Sequence, residues 1–466
     1  MSHIQDIYQV DFDHPVHVYF IGIGGISMSG LAEILLSEGF TVSGSDWSRS
    51  PLTERLERQG AVVHYGRPQK AENIEADVEL VVYTAAVHED NPEYQETMRR
   101  NLPSLTRAQL LGQMMKNYRL PVAVSGTHGK TTTTSMIAEI LLAADTDPTI
   151  SVGGVLKDIG GNIRVGGSEL FVTEACEYTN SFLSFFPRVG IILNIEEDHM
   201  DFFKDLADIR SSFRRFAQLI PEDGLLIING AIPQLSEITD GLCCRVVTFG
   251  SSPENDYVFT DTAHDGEAHA AFTLHFHGET LPVRLGVPGE HNIANAAAAL
   301  ALADHLELDM KLAAESLHGF SGTDRRFEYK GSLSGVTIID DYAHHPTEIE
   351  ATLRAAANYP HKTLWCVFQP HTYTRTKAFF HEFARALSLA DRVILADIYA
   401  ARETDTLGIS SADLKQEIEH LGTECHYFPS FEEIEKFVLE NCIPGDLLIT
   451  MGAGNVVNIG EDLLGQ

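Results

Sequence analysis

The chain has 466 residues, 44% of them hydrophobic, which is the make-up of a globular protein too long for one core, so about two to four domains are expected. Its formal net charge of −33, from 66 acidic against 33 basic residues, disfavours nucleic acid or an anionic membrane as a partner and demands local basic groups for any anionic substrate. No apolar run approaches the roughly 20 residues of a membrane span, Met1 to Val10 have no signal-peptide core, and six scattered cysteines without a Cys-x-x-Cys pair read as reduced thiols, so a cytoplasmic protein without membrane insertion is expected.

In chain order, His17 to Ile21 is a short apolar strand, followed by Gly22-Ile-Gly24-Gly25-Ile-Ser-Met-Ser29-Gly30 and a helical pattern to about Ser37. A second strand, Thr41 to Ser45, ends at Asp46, where a carboxylate suits a ribose hydroxyl. This is a Rossmann-like opening, with Ser27 where the full fingerprint has its third glycine. The motif points to a nucleotide diphosphate, of NAD or of a UDP-sugar, unless the glycines merely pack helix on strand. Val78 to Tyr83 is a further buried strand, and Thr84-Ala-Ala-Val87 follows at its ligand-facing end. Leu105-Thr-Arg107-Ala108 leads into a helix to about Asn117.

The strand Pro121 to Val124 runs into Ser-Gly126-Thr127-His128-Gly129-Lys130-Thr131-Thr132, and a helix over Thr131 to Ala143 follows. Strand, glycine turn, Lys-Thr and helix are the parts of a phosphate-binding loop: backbone N–H groups and the helix N-terminus cradle phosphate, Lys130 reaches the β- and γ-phosphates, and the Thr131 hydroxyl suits Mg²⁺. The loop is short, because Val124 stands where the usual motif has its first glycine. Two later strands, Leu170 to Thr173 and Gly190 to Leu193, end in polar clusters that contain Glu174, Glu177, Asp198 and His199. Glu174 and His199 suit Mg²⁺ beside a nucleotide, although each is also compatible with a solvated acidic loop or a structural imidazole.

From Cys244 the texture changes: Arg245 to Phe249, Ala270 to Phe276 and Leu281 to Val287 alternate like strands of an antiparallel sheet. Pro288-Gly-Glu-His291-Asn292-Ile-Ala-Asn295 then opens an alanine-rich helix to about His305. Asn292 and Asn295 share a helix face and could read an adenine edge, with an N-cap role for Asn292 as the rival. Ser321-Gly-Thr-Asp-Arg325-Arg326-Phe-Glu328 reads as a linker. The strand Val336 to Ile339 ends in Asp340-Asp341-Tyr342-Ala-His344-His345-Pro-Thr-Glu348, and Thr363 to Phe368 ends in Gln369-Pro-His371-Thr-Tyr-Thr-Arg375. Asp391 to Ala396 and Asp446 to Thr450 are further strands.

These motifs, from Gly22 to Asn455 and in this order, resemble the Mur ligases, and the first and the last two of them resemble the branch that adds the first amino acid to a UDP-sugar acid. The resemblance implies an α/β protein of three domains: a Rossmann-like UDP-sugar domain over 1–106, a central P-loop ATPase-type domain over 107–322, and a C-terminal Rossmann-like amino-acid domain over 323–466. It implies ATP-dependent joining of L-alanine to the carboxylate of UDP-N-acetylmuramate through an acyl phosphate, in a monomer or weak homodimer with ATP and Mg²⁺ as cofactors. By the same resemblance Lys130 shields the γ-phosphate, and Thr131, Glu174 and His199 hold the metal. Gly126, Thr127, His128, Gly129, Thr132, His291, Asn292, Asn295, Arg326 and Asp341 face ATP. Gly22, Gly24, Gly25, Ser29, Asp46, Thr84 and Arg107 belong to the UDP-sugar. Tyr342, His344, His371 and Arg375 line the amino-acid pocket, with His344 to accept the amine's proton. Lys130, His199, Arg326, Asp341 and His344 form the implied catalytic set. Two departures bear on the amino acid: Thr372 stands where many relatives carry arginine, and Ala175-Cys176 replaces Ala-Asp, which leaves glycine and serine open beside alanine. The rival readings are a recycling ligase for a preformed stem tripeptide, a non-catalytic UDP-sugar and ATP sensor, and an NAD-dependent oxidoreductase.

Overall fold

The computed structural model describes residues 7–84, 86–266, 268–401 and 403–466. The first residues of the stretch read for a leader, Met1 to Asp6, and Ala85 of the strand-end turn lie outside the described residues. Three sheets follow one another along the chain. The first has five parallel strands in the order Val62–Tyr65, Thr41–Asp46, His17–Ile21, Leu80–Tyr83 and Ser104–Thr106. The second has ten, with Leu120–Ser125 between Val189–Ile192 and Leu170–Glu174, both parallel to it. The third has six, five of them mutually parallel and the antiparallel strand Glu328–Leu333 at one edge. Fully buried strands such as Val189–Ile192 and Leu447–Met451 feed apolar clusters on both faces of their sheets, and their near-continuous apolar sequences follow from that.

One expectation about the second sheet is corrected. Arg245–Gly250 is parallel to its neighbours Leu225–Asn229 and Tyr257–His264, not part of an antiparallel set. The antiparallel part is Tyr257–His264, His269–Phe276 and Glu279–Pro288. Alternation reports that one face is buried, and it carries no information on strand direction. The strand Tyr257–His264 escaped the sequence pattern because its register shifts between Thr260 and Ala263, around Asp261 at φ 52°.

The first two sheets share one apolar cluster, which runs from Val18 and Phe20 through Leu110 and Met114 to Phe182, Phe213 and Phe216. The helix Arg107–Met115 is thus packed from both sides. Its Gly112 meets the Ser184 backbone so closely that a Cβ there would lie 1.9 Å from the Ser184 carbonyl oxygen. The third sheet has its own cores on its two faces. No helix of the described residues is long and apolar enough to cross a membrane.

Candidate active site

The phosphate loop joins the strand Leu120–Ser125 to the helix Lys130–Ala143. Gly126 and Gly129 sit at φ 150° and 83°, conformations that side chains rarely adopt, and a Cβ on Gly129 would lie 2.6 Å from Asn295 Oδ1. The segment after Val189–Ile192 pins the loop: His128 N–H donates to Asn194 Oδ1 at 2.8 Å, and Glu196 N–H donates to Thr127 Oγ1 at 2.9 Å. Lys130 Nζ folds back on the loop, donating to the carbonyls of Gly126 (2.5 Å) and Thr127 (3.0 Å) and pairing with Glu177 at 2.9 Å. Burial opposes the lysine's charge, but Glu177 outweighs it and raises the ammonium above its usual range.

Beside this loop is a cavity of about 200 Å³, lined among others by Gly129, Thr132, His291, Asn295, Arg326 and Glu348. It collects residues from the second sheet, the linker and the third sheet. Asn292 is not the N-cap of its helix, His291–His305: the cap position is Glu290, without a side-chain cap bond. Instead Asn292 Nδ2 donates to the Pro288 carbonyl at 2.7 Å, and its Oδ1 accepts from Asn295 at 2.9 Å, which sets the two amides side by side. The neighbouring arginines part company. Arg325 turns to Asp340 (2.9 Å) and to the carbonyls of Gly452 and Gly454, whereas Arg326 lines the cavity. Asp341 also borders it, but its carboxylate accepts from the N–H groups of Phe327 and Ala343 and from the Thr352 hydroxyl, so it pins the linker to the third sheet. Burial raises Asp341 to about 6 against the pull of Arg326.

A second cavity, about 590 Å³, lies between the second and third sheets and is lined by Asp198, His199, His371, Thr372, Arg375 and Glu403 among others. Arg375 spans it to Asp198 at 3.2 Å, and although burial opposes ionisation, the guanidinium holds Asp198 well below the usual carboxylate range. The His199 ring stacks on Tyr178 at 4.4 Å and faces Asp198 and Glu177 at 3.6 and 3.8 Å. His344 borders this cavity without entering its lining, and Tyr342 lies outside it against the two arginines of the linker. The Tyr342 ring lies 4.9 and 5.3 Å from the guanidinium carbons of Arg325 and Arg326, and the His344 ring is 5.9 Å from that of His371. Burial lowers both His344 and His371 to about 4, so both are neutral at pH 7. His344 Nδ1 contacts the Tyr342 carbonyl at 3.0 Å, a bond in which Nδ1 carries the proton and Nε2 keeps its lone pair.

Between the first two sheets a third cavity, about 440 Å³, brings Ile26 and Ser27 of the glycine loop together with Arg107, Glu174 and Cys176. Gly22 is at φ 81°, Gly24 N–H donates to Asp46 Oδ2 at 2.8 Å, and Asp46 also accepts from the Trp47 N–H, so the loop and the acidic strand end form one turn. The Gly25 carbonyl accepts the Ser29 N–H, and the Ser29 hydroxyl bonds back to Ile26 inside the helix. Thr84 is likewise spent on its own turn, accepting from Ala86. As a test of fit for Mg²⁺, Thr131 and Glu174 meet the same glycine pair: a Cβ on Gly153 would lie 2.7 Å from Glu174 Oε2, and one on Gly154 would lie 3.3 Å from Thr131 Cγ2. A hydroxyl and a carboxylate are the hard oxygen donors that Mg²⁺ takes beside phosphates and water. Among the described residues no group of three or more His, Cys, Asp or Glu converges as a metal cage, and His199 stands with Asp198 and Glu177 instead.

Three family models match the chain in succession: the Mur ligase family, catalytic domain over residues 17–119, the Mur ligase middle domain over 124–303, and the Mur ligase, glutamate ligase domain over 325–454. Two curated relatives, both called UDP-N-acetylmuramate--L-alanine ligase, are 58% identical (Lachnospira eligens) and 60% identical (Agathobacter rectalis), each over 98% of this chain and 100% of its own length. The chain belongs to the Mur ligase family. Among solved structures it is similar to the UDP-N-acetylmuramate-alanine ligase MurC of Thermotoga maritima, with 29% identity, a TM-score of 0.79, and 97% of this chain and 98% of that one covered. It is also similar to a murein peptide ligase of Psychrobacter arcticus, at 26% identity and a TM-score of 0.69 over the same shares.

Four carboxylates of this Mur ligase stayed outside the sequence-derived site set although their motifs were quoted or adjacent: Glu177, Glu196, Asp198 and Glu348. Each is committed to a cation of the site: Glu177 to Lys130, Glu196 and Glu348 to His128, and Asp198 to Arg375. An available signal was the number of acids crowded around scarce basic residues in an acidic chain, since buried carboxylates need partners.

Proposed function

We propose that this Mur ligase joins L-alanine to the carboxylate of UDP-N-acetylmuramate with cleavage of ATP, in peptidoglycan precursor synthesis. The observation that carries this reading is full-length identity of 58% and 60% to two alanine-adding ligases. The three cavities along the seams between the sheets support it, because each suits one reactant. We assign residues 1–106 to the UDP-sugar, 107–322 to ATP and 323–466 to the amino acid. With those reactants the protein works in the cytoplasm.

A carboxylate is a poor electrophile. Transfer of the γ-phosphoryl group from ATP converts it to an acyl phosphate and releases ADP; the amine of alanine then attacks the carbonyl carbon, and the C–O bond to phosphate breaks. Two anions must approach, so cations shield them. In our reading Arg107 meets the sugar carboxylate, and Lys130 and Arg326 meet the phosphates. The glycine loop with Asp46 holds the UDP part, and Asn292, Asn295 and His291 hold adenosine. Thr131 and Glu174 are the groups that would hold Mg²⁺ together, and His199 would act on metal from its separate position beside Asp198 and Glu177; the bound ion would neutralise phosphate charge. Arg375 binds the amino-acid carboxylate, with Tyr342 and His371 beside it. We assign the amine's proton to His344, whose Nδ1 is held by the Tyr342 carbonyl and whose Nε2 keeps its lone pair.

The test is phosphate release from ATP with Mg²⁺, UDP-N-acetylmuramate and L-alanine, glycine, L-serine or the stem tripeptide, with products weighed by mass spectrometry. A product heavier by one alanyl unit is expected. Ligation of the tripeptide without alanine would replace this reading with a recycling ligase, and nucleotide binding without turnover would replace it with a sensor.

A further inference from the structure

One residue of the phosphate loop reaches across to the C-terminal unit. His128 Nδ1 lies 3.1 Å from Glu348 Oε1, and its Nε2 lies 3.5 Å from Glu196 Oε2. Its ring packs against that of His345 at 4.8 Å. Glu348 is at the start of the helix Pro346–Ala357, and its second oxygen accepts the backbone N–H groups of His344 (3.0 Å) and His345 (3.3 Å). One carboxylate thus ties the phosphate loop to the turn that carries His344. The same seam has a parallel tie, from the Thr347 hydroxyl to Glu196 Oε2 at 3.0 Å. Glu196 and Glu348 both line the nucleotide cavity. A triphosphate entering there meets two carboxylates, and an imidazolium between them supplies the compensating charge.

We propose that Glu348 is a positioning residue: through His128 it seats the His344 turn on the phosphate loop, so that formation of the amino-acid pocket depends on the state of that loop. The proposal rests on the ligase reading above. Glu348 is not required to touch a reacting atom, because its two oxygens are already committed to the loop and the turn. The charged or titratable groups around the pair are Glu196, His345 and His291 facing His128, and His344, Arg326 and Asp341 facing Glu348, which His291 and His345 also face. Burial opposes a charge on His128, but the bonds to Glu196 and Glu348 raise it to about 9.

Glu348→Gln tests this, because the amide oxygen still caps the helix while the charge is lost. His128→Gln is the second variant, and the double variant closes the cycle. The expected result for Glu348→Gln, measured at saturating ATP, is a fall of about tenfold or more in kcat/KM for the amino acid, within the usual range of site coupling, with no rise in KM for ATP because the change removes a negative charge from the nucleotide cavity. The double variant should lose no more than Glu348→Gln alone. NMR of labelled histidine in the full chain should show the His128 titration midpoint falling toward its ordinary value in Glu348→Gln. The proposal is overturned if kcat/KM for the amino acid holds within twofold, if the two losses multiply, if the whole loss falls on KM for ATP, or if the His128 midpoint does not move. If the parent protein forms no ligation product, the ligase reading fails instead, and the titration still decides whether Glu348 holds His128.

Discussion

Lys130 and Glu177 form a pair that water barely reaches: the side chains are 15% and 2% exposed, with Nζ 2.9 and 3.3 Å from the two carboxylate oxygens. Lys130→Ala removes the cation and leaves Glu177 buried beside Cys176, whose thiol is itself raised to about 11 by burial and by that carboxylate. Breaking a buried pair from one side costs about 3–5 kcal/mol. For a unit of this size each kcal/mol moves the unfolding midpoint by about 2–4 °C, so the variant should melt roughly 6–20 °C below the parent. Lys130→Ala/Glu177→Gln carries neither charge and should recover most of that loss. Its ligation activity should stay down by at least about 10²-fold, because the charge we assign to the phosphates is still missing. Thermal melts of the parent, both single variants and the double variant, run beside phosphate release, separate the two effects. If Lys130→Ala melts within about 2 °C of the parent, less than 1 kcal/mol on the same scale, the pair does not stabilise the loop. If the double variant melts as low as Lys130→Ala, the loss does not come from the uncovered Glu177.

His128 makes stability depend on pH in a defined window. Burial disfavours its charge, but Glu196 and Glu348 raise it from 6.5 to about 9, so the folded state keeps a proton that the unfolded chain releases. That stabilisation is fully present below about pH 6.5 and is lost as the pH rises through about 9; urea midpoints measured across this window should fall in the parent and flatten in His128→Gln. Gly129→Ala forces a side chain into φ 83° and places its Cβ 2.6 Å from Asn295 Oδ1. The backbone term alone costs about 1–2 kcal/mol, and displacement of the asparagine should raise KM for ATP, as initial-rate kinetics would show. Thr372 holds φ 65° and ψ 146°, a region close to glycine-only, at the wall of the cavity that also holds Arg375. Thr372→Gly should therefore stabilise the protein by about 1 kcal/mol in a denaturant titration, since loss of its 3.4 Å cap to Arg375 costs only a few tenths.

Much of the architecture was legible because it is local. The strands His17–Ile21, Leu120–Ser125 and Leu364–Phe368 are apolar runs whose ends carry glycine turns or polar clusters, and chemistry sits at those ends because the sheets are parallel. The glycines of the two strand-to-helix loops announce backbone angles that few other residues tolerate, and Asp46 was legible as the acidic end of the second strand, whereas its bond to the Gly24 N–H came from the structure. Where the pattern was polar or irregular, as over Tyr257–His264, the strand was missed, and where only direction was at issue, as for Arg245–Gly250, alternation was silent. Within motifs the sequence could not say which neighbour does what. Glu174 and Glu177 lie three residues apart, yet one accepts from Gly153 N–H and the other pairs with Lys130. Arg325 and Arg326 are adjacent, yet one is spent on Asp340 and the other lines the cavity beside the phosphate-type loop.

Those assignments belong to the tertiary structure. A turn or a helix start is settled by atoms a few residues apart, so residue type and spacing carry it. The pairing of His128 with Glu348 joins positions 220 residues apart, and that of Asp198 with Arg375 joins positions 177 apart. Which carboxylate compensates which cation depends on how three sheets meet along their seams, because a buried charge takes the partner that packing brings within about 4 Å rather than the partner nearest in the chain.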